Sequence, residues 1–199
     1  MARLARALLL VAVTFCLVAP SASAAPTNLG KTLGNLWTTV LETPTPDNPF
    51  GGGDGCVVLG GKIIAPLKPE GGSFTCTVKA GTRIFIAGWT TECSTFEGNG
   101  TTEAELRACA VGTDAGITAT DTINGEPVPL SSVETGLLTI HLPQDNIFTL
   151  KGANRNGLSV AHGFVYLTDP LTPGTYIIEG HVVFPDGSTD DFTTTIIVQ

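Results

Sequence analysis

The sequence predicts an all-β fold, an antiparallel β-sandwich carrying one short helix tethered by a disulfide. Three observations predict it. From Cys56 onward, short runs rich in β-branched and aromatic residues recur, punctuated by glycine, proline and asparagine. Cys56, Cys76, Cys93 and Cys109 remain after an N-terminal export signal, and four cysteines in an exported chain read as two disulfides. One helix-start signature, Thr102-x-x-Glu105, interrupts the strands.

Residues 1–24 read as the signal. Arg3 and Arg6 form a positive n-region, Leu8 to Val18 is an apolar stretch too short to span a bilayer, and Ala22-Ser23-Ala24 is a small-residue cleavage site. The expected destination is secreted and extracellular, with no membrane span. Removing the signal leaves 8 basic against 18 acidic residues, a net charge of −10. That balance repels phosphate backbones and argues against nucleic acid.

Residues 25–55 differ from the rest. Leu29, Leu33, Leu36, Trp37, Val40 and Leu41 fall on one helical face, with Asn28 placed to cap it, while Gly30 and Gly34 weaken the helix. Thr43 to Gly53 is rich in proline and glycine and reads as a linker. The segment is expected to lie on the domain or trail from it, and deleting residues 25–53 is expected to leave residues 56–199 folded.

Within 56–199 the expected strands are Cys56 to Leu59, Lys62 to Ala65, Phe74 to Lys79, Thr82 to Trp89, Ile117 to Ile123, Leu137 to Leu142, Val160 to Leu167, Thr175 to Phe184 and Thr189 to Val198. Asn124-Gly125 predicts a two-residue hairpin turn, and Pro127 and Pro129 push the strand after it to an edge. In the last hairpin, Tyr176, Ile178 and Val182 must share a face with Phe192, Ile196 and Val198. Only an odd-length loop allows this, so Pro185-Asp186-Gly187 is predicted as a three-residue turn with Gly187 left-handed.

The cysteine gaps of 20, 17 and 16 residues contain no C-x-x-C pair, which excludes the usual zinc spacing. Sequential pairing, Cys56–Cys76 and Cys93–Cys109, staples two loops of similar length. The second bond would tie the helix from Glu103 to the strand leaving Trp89.

Five blocks occur in order: Glu92 to Gly98, Glu103 to Ala110, Leu142 to Asn146, Ser159 to Gly163 and Pro170 to Tyr176. In these the chain resembles a group of uncharacterised exported bacterial proteins. The resemblance covers most of residues 56–199 and implies a family but no activity. The stretch Leu171 to Tyr176 before a final hairpin also resembles the end of immunoglobulin-like and fibronectin-type modules. With the strand pattern, this makes an immunoglobulin-like sandwich the expected architecture.

Glu92, Glu97, Glu103 and Glu105 form the densest polar group. Two of these carboxylates could act as acid and base on a glycoside, and their oxygens would also suit calcium. The plainer reading makes Glu105 a capping residue and Glu103 a first-turn residue favoured by the helix dipole. His162, beside Ser159 and before Gly163, is the histidine best placed for function, at an expected loop-to-strand corner; no Gly-x-Ser-x-Gly elbow accompanies it. His141 and His181 fall on polar faces, His181 opposite Asp191.

The expected function is therefore an extracellular binding or surface-structural module without catalytic activity, needing no cofactor and engaging a protein or glycan at the cell surface. The alternatives are a small carboxylate-dependent hydrolase using Glu92 or Glu97, and a calcium-dependent adhesive domain using Glu92, Glu97, Glu103 or His162.

Overall fold

A computed structural model of the chain describes residues 28–67 and 72–199. The expected signal segment lies outside them. A helix α1 (Leu29–Glu42) leads through 3₁₀ turns at Thr45–Asp47 and Pro49–Gly51 into β1 (Cys56–Gly60), β2 (Ile63–Pro66), β3 (Gly72–Val78) and β4 (Arg83–Ser94). A second helix α2 (Glu103–Thr113) precedes β5 (Thr118–Ile123), β6 (Glu126–Val128), β7 (Ser131–Glu134) and β8 (Leu138–His141). The chain ends with β9 (Asn156–Leu167), β10 (Gly174–Val183) and β11 (Thr189–Val198).

The strands form two sheets. The first is six-stranded, ordered β1-β2-β4-β9-β7 with β8 also on β9; the second is five-stranded, ordered β3-β11-β10-β5-β6. The fold is thus mostly β and two-layered, as the strand pattern predicts. The expectation of purely antiparallel sheets is corrected, because β2 pairs with β4 in parallel and β3 with β11 in parallel. The chain leaves β2 for β3 in the other sheet before returning to β4, and such a crossover permits parallel neighbours.

Local rules hold where contacts are local. Asn28 accepts the Lys31 N–H at 3.0 Å and caps α1. Thr102 and Glu105 form the reciprocal capping box of α2. Asn124 and Gly125, at φ 52° and 81°, turn β5 into the edge strand β6. In the last hairpin His181 faces Asp191 and Ile178 faces Thr194, so Pro185, Asp186 and Gly187 form a three-residue loop with Gly187 at φ 83°.

The N-terminal segment takes the first of its two expected arrangements and lies on the domain. Leu33, Leu36, Trp37, Val40 and Leu41 are all 7% exposed or less, packed on the outer face of the six-stranded sheet against Phe85, Ala161 and Val165. Each apolar side chain buried this way contributes about 1.5–3 kcal/mol, so α1 adds to the core on the sheet face where it lies. Asn48, between the two turns, is fully buried and donates to the Val40 carbonyl at 2.6 Å, which fixes the supposed linker to the helix end.

A second core fills the space between the sheets, from Ile64, Cys76, Ile84, Ile86, Ile178, Ile196 and Val198. The Cys56–Cys76 disulfide joins β1 of one sheet to β3 of the other, and Cys93–Cys109 joins β4 to α2. Loop-closure entropy assigns each about 3 kcal/mol.

Candidate functional site

The site begins with a β-bulge. Along β4, Ala87 pairs with Val165 but Trp89 pairs with Phe164, leaving Gly88 as the extra residue. The bulge shifts the alternation by one, so Trp89, Thr91 and Cys93 continue the inner face of Ile84 and Ile86. Glu92 instead falls on the α1 face. Glycine fits closely here, since a Cβ at residue 88 would lie 2.6 Å from Asp121 Oδ2 and 2.8 Å from Leu130 Cδ1 and would push one of those side chains aside.

On the inner face, the C-cap of α2 delivers Asp114 to the strands. Its Oδ1 accepts the Trp89 indole N–H at 2.8 Å and the Thr91 hydroxyl at 2.5 Å. Its Oδ2 lies 2.6 Å from His162 Nδ1, and the side chains of Asp114 and His162 are 1% and 10% exposed. His162 Nε2 lies 2.8 Å from Ser132 Oγ on β7. His162 therefore sits within β9, not at a loop-to-strand corner as expected, because β9 starts at Asn156.

The acidic group from the sequence is divided. Glu92 hydrogen-bonds the Ser159 hydroxyl and lies close enough to Glu97 to feel its charge; burial first, then the Glu97 charge, push its carboxyl up to about 8, against the pull of Ser159. Glu103 is elsewhere, 2.6 Å from Arg107, which also holds Glu134 at 2.5 Å. Glu105 caps α2; the N–H groups of Thr101 and Thr102 hold its carboxyl down at about 2. Among the described residues no three His, Cys, Asp or Glu side chains gather as a metal site. Glu92 is half-buried, and Glu97 is its exposed neighbour.

Sequence reasoning missed two further features. A cavity of about 220 Å³ opens at the edge of β4, lined by Trp37, Phe50, Phe74, Trp89, Phe192 and Asp190 among others. Asp190 is half-buried, and its carboxylate has no hydrogen-bond or ion-pair partner among the described residues. Beneath the cavity floor, next to Gly88, Asp121 is 2% exposed and neither carboxylate oxygen has a partner, so burial pushes its carboxyl up to about 7. The five aromatic residues come from five separate elements, and no spacing in the sequence foretells their meeting.

No family model and no curated protein matches the chain. Among solved structures it is similar to amebosin, at 14% identity over 65% of this chain and 98% of that one, with a TM-score of 0.25. It is also similar to the cysteine protease inhibitor EhICP2 from Entamoeba histolytica, at 14% identity over 69% of this chain and 94% of that one, with a TM-score of 0.28. What the fold and site define is a disulfide-stapled module of two β-sheets with an aromatic-lined cavity. Its two disulfides suit an oxidising compartment, and among the described residues no helix is long and apolar enough to cross a membrane.

Proposed function

We propose that the mature chain is a secreted binding module whose cavity takes a small cationic group, an amine or quaternary ammonium presented by a protein or glycan at the cell surface. One observation carries the reading: five aromatic side chains and the unpartnered Asp190 carboxylate converge on one cavity. Aromatic faces attract cations through their quadrupole, by about 0.5–2 kcal/mol each depending on desolvation. Asp190 supplies the opposite charge, and the acidic surface concentrates cations nearby. Phe50, 44% exposed at the mouth, adds apolar contact for the stem of such a group. The immunoglobulin-like ancestry and the kinship with exported bacterial proteins belong to the same proposal, supported by the strand pattern and the sequence blocks.

Titration calorimetry of the mature protein with benzyltrimethylammonium, and with its uncharged tert-butyl analogue, tests this. The cation is expected to bind at least tenfold tighter than the neutral analogue, and Asp190→Asn to remove most of that difference. Equal binding of the two probes, or none, would discard the reading.

A further inference from the structure

We propose that Ser132, His162 and Asp114 form an acyl-transfer centre in which Ser132 is the nucleophile and the substrates are small carboxylic esters. The inference goes beyond cation binding in the cavity and does not depend on it.

The geometry has the required order. A carboxylate can only accept, so His162 Nδ1 carries the proton shared with Asp114 Oδ2 at 2.6 Å. That fixes the tautomer and leaves Nε2 as the acceptor for the Ser132 hydroxyl, 2.8 Å away. Asp114 is itself held in place by Trp89 and Thr91 on its other oxygen. The base is thus oriented by a buried anion, while Ser132 is exposed on an edge strand where an ester can reach it.

A donor for the developing oxyanion stands next to the nucleophile. Thr135 gives its N–H to the Ala161 carbonyl, so in this antiparallel pair alternate residues Val133 and Ser131 face β9. The N–H of Ser132 points to the other side, and among the described residues no strand pairs that edge of β7. It is free to bond the carbonyl oxygen of an acyl group attached at Oγ.

In the first step Ser132 Oγ bonds to the ester carbonyl carbon as its proton passes to His162 Nε2. The tetrahedral adduct then expels the alkoxide, which takes that proton and leaves as the alcohol. Water attacks the acyl-serine, its proton again passing to Nε2. Collapse releases the carboxylic acid and restores the Ser132 hydroxyl. Asp114 stays ionised throughout and stabilises the transient imidazolium.

Incubation of the mature protein with an alkyl fluorophosphonate, followed by intact-mass and peptide analysis, tests the assignment alongside hydrolysis of p-nitrophenyl acetate. One phosphonyl adduct at Ser132 is expected. Ser132→Ala should retain the melting temperature, take no label, and lose ester hydrolysis by about 10²–10⁴-fold, the range of a positioned general base acting on its nucleophile. Thr91→Val, which frees Asp114 from one restraint without touching Ser132, should slow labelling while leaving the adduct at Ser132. An unlabelled, folded wild type would overturn the proposal. So would an adduct on Ser94 or Ser159, or hydrolysis by Ser132→Ala at the wild-type rate.

Discussion

Trp89 and Asp114 join the two halves of the site: the indole ring lines the aromatic cavity while its N–H donates to Asp114 Oδ1 at 2.8 Å. The same side chain stacks edge-on against Phe184, with ring centroids 5.0 Å apart. Occupancy of the cavity and the position of the buried carboxylate therefore share one residue.

Replacing Trp89 by Phe keeps an aromatic ring and deletes the donor to a buried anion. The loss of such a charged hydrogen bond costs about 1.5–3 kcal/mol. The denaturant midpoint of Trp89→Phe should fall accordingly, with an unchanged slope. A midpoint within error of wild type would mean that Thr91 and His162 alone satisfy Asp114.

Stability should decline as pH rises from about 4 to 8. Burial raises the carboxyls of Asp121 to about 7 and Glu92 to about 8, so between their ordinary range and these values the folded state holds more protons than the unfolded one. Their contribution is complete below pH 4 and is lost as pH climbs through the folded values. For Asp121 the shift amounts to something on the order of 4 kcal/mol. Asp121→Asn cannot ionise, so its urea midpoint should fall less steeply between pH 5 and 8 than that of wild type. Parallel pH profiles for the two proteins would show that Asp121 does not carry the dependence.

Deleting residues 25–53 should abolish cooperative unfolding, because five core side chains of α1 leave the outer face of the six-stranded sheet bare. The single substitution Leu36→Ala isolates the effect and should cost about 2–5 kcal/mol. A truncated chain that melts cooperatively near the wild-type temperature would restore the view of this segment as an appendage.

The hairpin register, both helix caps and the Asn124-Gly125 turn are written in neighbouring residues, and the sequence by itself determined them: periodicity, φ preference and capping act over a few positions. The same holds for the mainly β class. The tertiary structure alone decided which distant residues meet. β7 went unrecognised because Ser131-Ser132-Val133-Glu134 is polar and too short to show alternation, yet it carries Ser132 to His162. Asp114 gave no signal beyond ending a helix; it matters because the Cys93–Cys109 bond and the inner face of β4 hold that helix end against Trp89 and Thr91. The bulge at Gly88 decides which side of the sheet Glu92 and Thr91 occupy, and with it which carboxylate is isolated and which is engaged. These outcomes depend on pairings across tens of residues, where the packing free energy of the whole domain, not any local preference, selects the neighbour.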